Sequence, residues 1–370
     1  MDYPIIRPTL PDFAEVEAAF RGIWASGMLT NHAHVRELEA LVADYCGVEH
    51  CVATANCTSG LILTVKAMGL TQGEIILPSF TFAATGHAIV WNGCEPVFVD
   101  SEYETFNIDP EAVRAAITPR TVAICAVHVF GLPANMTALE AIAEEHGLPL
   151  YCDAAQALGA THNGRRAGGL GHAEVFSMSP TKVVTAGEGG LITTNDGELA
   201  TRLRQMRDYG KGPDGYDMRF IGLNARQSEF HAAVGAATVR HSDEYIGHRR
   251  SMISHYQDAL RDLTGIRFQE VPEGSTASGN YMVMKVRAGE SKLDRDELYD
   301  ALFARGIQAK KYFYPSLHLH EAYGPWRDKY EGKVPVAERL SKEGIALPLY
   351  GHIQKADCDV IIDAVRNLLS

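Results

Sequence analysis

The sequence predicts an α/β protein in which a large domain, built on a mostly parallel central sheet flanked by helices, is followed by a smaller C-terminal α/β domain. From residue 50 onward, short apolar segments alternate with segments of helical periodicity, as in EIILPS followed by TFAATGHAIVWNG. The short segments are apolar at consecutive positions, which is typical of parallel strands covered on both faces. The length of 370 residues leaves room for one large domain or two of ordinary size.

The large domain is predicted to alternate strands and helices up to residue 155. The strands are CVATAN, EIILPS, EPVFVD, TVAICAVHVF and LPLYCDAA, and the helices between them are SGLILTVKAMGL, TFAATGHAIVWNG, DPEAVRAAI and MTALEAIAEEHG. Only a short loop separates the next strands, AEVFSMS and GGLITTN, so we expect these two to pair antiparallel. The segment MRFIGLNARQSEFHAAVGAATVRH is expected to begin as a loop and to continue as a helix.

The small domain is predicted from the pattern of the last third of the chain. The segment RRSMISHYQDALRDL has the periodicity of a helix that leads away from the sheet. The segments NYMVMKVRA, LDRDELYDALFARG and DCDVIIDAVRNLL then predict a strand followed by two helices. We therefore assign residues 1–248, with the N-terminal segment, to the large domain and residues 249–370 to the small one.

Composition and charge exclude several classes of protein. The formal charge is −12 and no basic run is present, which argues against nucleic acid as a partner. No apolar segment approaches the ~18 residues that span a bilayer, and the N-terminus lacks the pattern of a signal peptide, so we expect a cytoplasmic protein without a membrane partner. The seven cysteines form no CxxC pair, which favours free thiols over a zinc site or a disulfide framework.

Polar residues that follow strands are the first candidates for a site, because ligands of parallel α/β sheets bind beyond the carboxyl ends of the strands. Thr58 and Ser59, in ANCTSG, open a helix, where they could bind a phosphate or simply cap the helix. Asp153 follows the apolar run LPLYC, where a buried carboxylate needs a cationic or hydrogen-bonding partner, unless it too is a helix cap. Lys182 and Ser177 lie in FSMSPTK, between a strand and a glycine cluster.

A lysine, an acid, a phosphate cradle and an aromatic ring are together what pyridoxal phosphate needs. The lysine holds the aldehyde as a Schiff base, and the carboxylate keeps the pyridine nitrogen protonated so that the ring can accept electrons. Phe82, in PSFTFAAT, could stack on the ring, although a core position is the alternative. Each of these residues alone has an ordinary structural explanation, but together they indicate a pyridoxal phosphate site.

Over nearly the whole chain, the sequence resembles the DegT/DnrJ/EryC1/StrS family, the sugar aminotransferases of pyridoxal-phosphate fold type I. The resemblance is carried, in this order, by CTSG, PSFTFAAT, FNIDP, HVFGLPANM, YCDAAQALGA, FSMSPTKVVTAGEGG, GLNARQSEFHAAVGA and LPLY. A chance match of one such segment is easy, whereas a match of all of them in the family's order and spacing is highly specific.

The resemblance implies a role for each matching residue. Lys182 would form the Schiff base and transfer protons, and Asp153 would pair with the pyridinium. The other implied cofactor contacts are Gln156 to the ring hydroxyl, Thr58, Ser59 and Ser177 to the phosphate, Phe82 by stacking, and Asn224 to the phosphate from the neighbouring subunit. Arg226 would lie near the carboxylate of the substrate or donor, and a homodimer would share its active sites.

Two departures from the family pattern bear on the site. The family usually has an aromatic residue and a histidine in SFHxTK, where this chain has Met178 and Ser179, and this difference would alter the lining of the cofactor site. The family usually has glycine after TN near the N-terminus, where this chain has His32, and this difference would change the substrate mouth. Members with histidine in place of the lysine act as dehydratases, so Lys182 favours transamination.

The implied reaction moves an amino group from L-glutamate to a nucleotide-linked keto-deoxysugar. Substrate contacts are expected in QAKKYFYPSLHLHEAYG, residues 308–324, from Lys310, Lys311, Tyr312, Tyr314 and His318. The lysines could balance a diphosphate and the aromatic rings could pack against sugar or base; a solvated basic pair beside a small core cluster is the alternative. KYFYP favours members that act at C4 of dTDP-4-keto-6-deoxyglucose.

Other functions stay open at this point. Within the class, the alternatives are a C3 aminotransferase and an enzyme for a UDP-linked, GDP-linked or cyclitol ketone. A sensor that binds pyridoxal phosphate or a sugar nucleotide without turnover is a further alternative, which the complete set of Lys182, Asp153 and Gln156 disfavours. GEGG does not indicate a nucleotide-cofactor oxidoreductase, because its glycines follow a loop and precede a strand.

Overall fold

The computed structural model describes residues 2–370. In that range, none of the helices combines the length and apolar character needed to cross a lipid bilayer. The helices are α1 (Phe13–Ser26), α2 (Ala33–Cys46), α3 (Cys57–Ala67), α4 (Ala83–Trp91), α5 (Pro110–Ala116), α6 (Met136–His146), α7 (Gly197–Met206), α8 (Glu229–Arg240), α9 (Ser242–Leu260), α10 (Arg295–Phe303), α11 (Gly324–Tyr330), α12 (Pro335–Glu343) and α13 (Lys355–Leu369). The strands are β1 (His50–Thr54), β2 (Glu74–Pro78), β3 (Glu95–Val99), β4 (Thr121–Val127), β5 (Leu150–Asp153), β6 (Thr161–His162), β7 (Arg165–Arg166), β8 (Ala173–Ser177), β9 (Gly190–Thr194), β10 (Ile266–Phe268), β11 (Ser275–Thr276), β12 (Met282–Val286) and β13 (Gly344–Leu347).

The central sheet has seven strands in the order β1-β9-β8-β5-β4-β2-β3. The pairs from β8 to β3 are parallel, whereas β9 runs antiparallel to both of its neighbours, β1 and β8. Separate apolar clusters cover the two faces, one with Leu38 and Ile124 and the other with Leu61 and Leu77. The predicted α/β class, the mostly parallel sheet and the antiparallel pair after residue 170 are therefore confirmed.

The C-terminal part contains a second sheet of three antiparallel strands, β10-β12-β13. Helices α9, α10 and α13 pack on it through a separate apolar core. The sequence predicted only β12 of these strands, because β10 has three residues and β13 follows α12 without a turn signal. The predicted boundary between residues 248 and 249 falls inside α9, and the division into two domains stays a prediction.

The end of β4 differs from the predicted strand in a way that shapes the site. The apolar segment TVAICAVHVF was predicted to be extended throughout, but β4 ends at Val127 and a short 3₁₀ turn follows at Val129–Gly131. Phe130 in this turn has a positive φ of 57°. The turn leaves His128 at the carboxyl edge of the sheet, where its backbone amide donates to the Asp153 carbonyl at 3.1 Å.

Candidate active site

A cavity of about 290 Å³ lies at the carboxyl ends of the central strands. Asp153 ends β5, Ser177 ends β8 and His128 follows β4 directly, so the parallel strands bring these residues to one edge. Segments that flank the small sheet complete the wall. The lining residues are Asn56, Cys57, Thr58, Thr81, Phe82, Ala84, Val127, His128, Asp153, Ala155, Gln156, Ser177, Ser179, Thr181, Lys182, Glu188, Tyr281, Lys310, Tyr312 and Phe313.

The predicted residues divide into two groups by position. Those that line the cavity are Thr58, Phe82, Asp153, Gln156, Ser177, Lys182, Lys310 and Tyr312. Those that lie outside its lining are Ser59, Asn224, Arg226, Lys311, Tyr314 and His318. The first group contains most of the predicted cofactor contacts, whereas most of the predicted substrate contacts fall in the second.

Lys182 is held by a compact loop between β8 and β9. The loop is closed by the Met178 amide, which donates to Gly189 O at 2.9 Å, and by the Ala186 amide, which donates to Met178 O at 2.9 Å. The Lys182 amide donates to Ser179 O at 3.0 Å. Among residues 2–370, the Lys182 ammonium has no carboxylate within salt-bridge distance, and it is half-buried. Of the two departures in this segment, Ser179 lines the cavity and Met178 is fully buried in the core.

Asp153 is a buried carboxylate at the floor of the cavity. Its Oδ2 accepts a hydrogen bond of 2.6 Å from Thr85 Oγ1, and its Oδ1 accepts one of 3.1 Å from the Ala155 amide. Burial raises the pKa of Asp153, and the two hydrogen bonds and the charges of Lys182 and His128 offset only part of this effect. A carboxylate in this setting gains stability from a directly bound cationic N–H group.

The start of α3 supplies hydroxyl and amide groups to the cavity. Asn56 caps the helix through Oδ1, which accepts from the Ser59 amide at 2.8 Å, and Ser59 Oγ donates to Asn56 O at 2.8 Å. The Ser59 hydroxyl is therefore hydrogen-bonded within the cap, and Ser59 does not line the cavity. Thr58, its neighbour, does line the cavity. Ser177, at the end of the adjacent β8, presents a second hydroxyl there. Together with the helix N-terminus, Thr58 and Ser177 form a surface suited to an anion.

Gln156 and Phe82 occupy other parts of the cavity wall. Gln156 Oε1 is buried and has no hydrogen-bond partner among residues 2–370, which leaves an acceptor for a ligand hydroxyl. The Phe82 side chain is 60% exposed, with its ring 6.5 Å from that of Phe313. It is Phe80 that fills the core position in this segment, with no exposure. This arrangement favours a stacking role for Phe82 over the core alternative.

Sequence reasoning missed His128, which lines the cavity beside Asp153. His128 Nε2 lies 2.8 Å from Glu174 Oε1, and both side chains are completely buried. The Ala134 amide donates to His128 Nδ1 at 3.2 Å, so Nε2 carries the proton that Glu174 accepts. The other Glu174 oxygen accepts from the Leu170 amide at 2.9 Å. His128 lies inside the segment predicted to be a strand, TVAICAVHVF, so the rule that pointed to residues after strands did not apply to it.

No role was predicted from the sequence for three further residues of the site. Thr85, which does not line the cavity but bonds Asp153 directly, lies 68 positions before it in the chain. Tyr281 comes from the segment before β12, and Thr181 directly precedes Lys182 in FSMSPTK; both line the cavity. Only the three-dimensional packing of distant segments reveals these contacts.

Three predicted substrate contacts lie outside the lining of the cavity. Lys311 Nζ is paired with Asp296 Oδ1 at 2.6 Å, on the side of its segment that faces away from the cavity. The Tyr314 side chain is 51% exposed and stacks under a guanidinium, with Arg295 Cζ 4.8 Å from the centre of its ring. His318 is fully buried, its Nδ1 2.5 Å from a serine hydroxyl of the core. None of the three lines the cavity, because each is engaged elsewhere.

Asn224, predicted to contact a neighbouring subunit, and Arg226, predicted near a substrate or donor carboxylate, both lie outside the cavity of the single chain. Asn224 is exposed and forms an isolated antiparallel bridge with Asp208. Arg226 Nη1 pairs with Asp208 Oδ1 at 2.6 Å, and its guanidinium lies 5.5 Å from the ring centre of Tyr209. His32 is half-buried, and its amide donates to Glu229 Oε1 at 2.6 Å. The contact of Asn224 with a second subunit, the carboxylate contact of Arg226 and the effect of His32 on the substrate mouth stay predictions.

Comparisons with known proteins agree with the class of protein that the cavity indicates. The sequence is 36% identical over 336 residues to GDP-perosamine synthase of Caulobacter vibrioides, covering 90% of this chain and 89% of the relative. It is 34% identical over 356 residues to dTDP-3-amino-3,4,6-trideoxy-alpha-D-glucose transaminase of Streptomyces venezuelae, covering 96% and 92%. The fold matches the crystal structure of DesI with its TDP-sugar product, with a TM-score of 0.93 and 38% identity over 99% of this chain and 93% of that one.

The sequence profile of one family extends over nearly the entire chain and agrees with these individual matches. It covers residues 12–366, and therefore both the part that carries Lys182 and the part that carries the small sheet. The predicted enzyme class, an aminotransferase, is confirmed by the profile and by the relatives together. The chain belongs to the DegT/DnrJ/EryC1/StrS aminotransferase family.

Proposed function

We propose that this protein is a pyridoxal-phosphate-dependent aminotransferase that moves the amino group of L-glutamate to a nucleotide-linked keto-deoxysugar. The observation that carries the proposal is the presence of Lys182 and Asp153 in one cavity, the first without a carboxylate partner and the second buried with a raised pKa. When bound, pyridoxal phosphate supplies an aldehyde that combines with amines and a ring that accepts the electron pair of a cleaved C–H bond.

The cavity residues fit this cofactor in chemical type. Asp153 would hold the protonated ring nitrogen, which is the cationic N–H partner that its buried carboxylate favours. Gln156 would meet the ring hydroxyl with its unpartnered amide oxygen. Thr58 and Ser177 would bind the phosphate at the N-terminus of α3, and Phe82 would cover one face of the ring. Ser59 supports the phosphate site indirectly, since its amide and hydroxyl hold the Asn56 cap.

Lys182 has two duties in this proposal. Its amine binds the cofactor between turnovers, and it then removes a proton from the α-carbon of the donor and returns a proton to the acceptor. The loop hydrogen bonds at Met178 and Ala186 keep the amine on the cavity side through both half-reactions. Histidine at this position is associated with dehydration in the family, so a lysine supports transamination.

The substrate side of the cavity is proposed to be the segment around Lys310 and Tyr312. Lys310 is exposed at the cavity wall, 5.1 Å from the ring centre of Tyr312, and has no carboxylate within 4 Å among residues 2–370. A cation so placed can bind the diphosphate of a nucleotide sugar. We propose C4 of dTDP-4-keto-6-deoxyglucose as the position aminated. C3 is the alternative, favoured by the relative that forms a 3-amino sugar.

A homodimer with shared active sites is also part of the proposal. Asn224 would reach the cofactor phosphate of the neighbouring subunit. Arg226 would bind a carboxylate near the substrate, in exchange for its present partner, Asp208. Asn224 is exposed on one chain, as a contribution to a second subunit requires, and Arg226 is half-buried.

The test is the absorption spectrum of the protein loaded with pyridoxal phosphate, recorded before and after L-glutamate is added. The wild type should show the visible band of a lysine-bound cofactor and convert to the amine form, and Lys182→Ala should do neither. Lys211→Ala, which removes a lysine paired with Asp208 outside the cavity, is the control and should behave as the wild type. A visible band that glutamate leaves unchanged would contradict the aminotransferase proposal and favour a sensor.

The sugar is tested next with a panel of nucleotide keto-sugars. Turnover of the pre-formed amine form with the 4-keto sugar supports the assignment to C4. Turnover with the 3-keto sugar alone would replace it by the C3 alternative.

A further inference from the structure

Tyr281 stands beside Lys182 on the cavity wall and has no role in the function proposed above. The Lys182 Nζ lies 5.8 Å from the centre of the Tyr281 ring. On its other side, the Tyr281 ring packs against Tyr312 with centroids 4.9 Å apart. Lys310 Nζ in turn lies 5.1 Å from the ring centre of Tyr312. Tyr281 therefore occupies the space between the reactive lysine and the exposed cation of the substrate side.

The position of Tyr281 relative to Lys182 is fixed by contacts of their chain neighbours. Asn280, one residue before Tyr281, accepts a 3.1 Å hydrogen bond through Oδ1 from the amide of Val183, one residue after Lys182. The Asn280 carbonyl accepts from Arg249 Nη1 at 3.1 Å. Asn280 and Arg249 are both buried. The segment before the small-sheet strand β12 and the lysine loop are thus joined one residue away from Tyr281 and Lys182.

The charged groups that face Tyr281 favour loss of its proton. They are Lys182 from the loop after β8, Lys310 from the segment after α10, and Arg249 from α9. Burial by itself raises the pKa of a phenol, but here the charge of Lys182, with hydrogen bonds from Thr181 and Tyr312 and the charge of Lys310, outweighs burial. The pKa of Tyr281 therefore lies below its ordinary value of about 10. Its neighbour Tyr312 differs, since burial and Tyr281 raise the pKa of that phenol.

We propose that Tyr281 is the proton partner of Lys182. The two groups share one proton, so that an ammonium beside a phenolate interconverts with a free amine beside a phenol. One proton moves from Nζ to the phenol oxygen or back, and the total charge of the pair stays zero. The exchange gives Lys182 a neutral amine, which nucleophilic attack requires, without release of a proton to solvent. Tyr281 acts on the reaction only through Lys182, so it is a positioning residue. That this proton exchange serves transamination rests on the proposed function.

The first experiment titrates the phenols of the cofactor-free protein by their near-ultraviolet absorbance. The wild type should contain a phenol that ionises below its ordinary range, and Tyr281→Phe should lack it. Lys182→Ala should move the same titration upward, because the cation that lowers the pKa is gone. Tyr323→Phe, which removes a buried phenol that hydrogen-bonds His87, is the control and should retain the low titration. A low titration that survives Tyr281→Phe, or that Lys182→Ala leaves in place, would overturn the proposal.

The second experiment follows the visible band of the protein loaded with pyridoxal phosphate as the pH is changed. Tyr281→Phe should move the midpoint by about 0.5 pH unit or more, about a threefold change in proton affinity, whereas Tyr323→Phe should leave it unchanged. An unchanged midpoint in a Tyr281→Phe protein that unfolds at the wild-type temperature would also overturn the proposal. If Tyr281→Phe does not fold, Lys182→Ala still decides through the phenol titration. Failure of glutamate to convert the wild type refutes the aminotransferase proposal alone, since the phenol titration needs neither glutamate nor cofactor.

Discussion

Gly190, the last glycine of GEGG, offers a sharp test of how the fold builds the anion-binding end of the cavity. Gly190 opens β9 and pairs with Thr54 of β1 on one side and with Ser177 of β8 on the other. A Cβ at this position would lie 2.5 Å from both the carbonyl carbon and the oxygen of Asn56, and 2.6 Å from Thr54 Oγ1. Glycine is therefore required at this position for steric reasons, because a residue without a Cβ lets β9 approach the backbone that leads into α3.

The expected cost of Gly190→Ala follows from the nature of those contacts. The atoms in the way belong to backbone, which cannot rotate aside as a side chain can, and overpacking of this kind costs about 1–3 kcal/mol. The lower chain entropy of alanine in the unfolded state recovers about 0.4–1 kcal/mol. A net loss of about 1–2 kcal/mol should lower the unfolding temperature of a chain of this length by roughly 1–3 °C. Because Asn56 must shift, Thr58 shifts with it, and the affinity for pyridoxal phosphate should fall by about tenfold, or ~1.4 kcal/mol.

Gly189→Ala is the matched control, one residue earlier in the same motif. Its Cβ would meet the end of a flexible side chain, Gln227 Nε2, at 2.9 Å and Met178 Cβ at 3.3 Å. The amide can move, so we expect a change of about 0.5 kcal/mol or less. The measurements are thermal unfolding and equilibrium binding of pyridoxal phosphate for both variants. Equal unfolding temperatures and equal affinities in the two variants would refute the claim that the backbone at Asn56 leaves no room for a Cβ at position 190.

Three other predictions concern charged groups. The pKa of Asp153 is raised in the folded chain, so its contribution to stability is full below an unfolded pKa of about 3.9 and is lost as the pH rises through the folded value. Cofactor-free Asp153→Asn should therefore unfold at a higher temperature than the wild type at neutral pH and at the same temperature in acid. The same variant should bind pyridoxal phosphate more weakly than the wild type. Lys310→Ala should raise the KM for the nucleotide sugar by about tenfold, or ~1.4 kcal/mol, whereas Lys311→Ala, which removes the lysine paired outside the cavity, should leave the KM unchanged. Equal KM values in the two variants would contradict the assignment of Lys310 to the diphosphate. Glu229 accepts three backbone amides of the first turn of α2, at 2.6, 2.8 and 3.1 Å, so Glu229→Ala should lower the free energy of unfolding by about 2–4 kcal/mol in urea, and Glu229→Gln should lower it less.

The clustering of the proposed cofactor residues could be predicted from the sequence because it follows from strand direction. Asp153 and Ser177 each end a buried strand, and a parallel sheet brings such ends to one edge. Thr85 could not be predicted, since its hydrogen bond to Asp153 depends on how α4 packs beside β5. The small sheet was only partly predicted, because the four apolar residues of β13 continue the pattern of α12 without a break.

The adjacent lysines Lys310 and Lys311 differ in position for a local reason. Lys310 exchanges both backbone hydrogen bonds with Ala346, so the segment is extended there, and successive side chains of an extended segment point to opposite sides. Lys310 accordingly lines the cavity, and Lys311 lies on the other side of the segment, where it pairs with Asp296. The run KKYFY has no polar and apolar alternation, and it gave no indication that it was extended.

The two sides of the cavity therefore differ in how sequence determines them. The cofactor side consists of strand ends and a helix start, whose positions are set by a sheet with buried residues on both faces. The substrate side consists of Lys310, Tyr312 and Tyr281, which lie on segments that flank the small sheet. A substitution on the substrate side can change which sugar fits without disturbing Asp153 or the lysine loop, except through Tyr281 and Asn280. Asn280 accepts a hydrogen bond from the backbone amide next to Lys182. A substitution at Asn280 or Tyr281 should therefore alter both the chemistry of Lys182 and the choice of sugar. A substitution at Lys310 should alter only the choice of sugar.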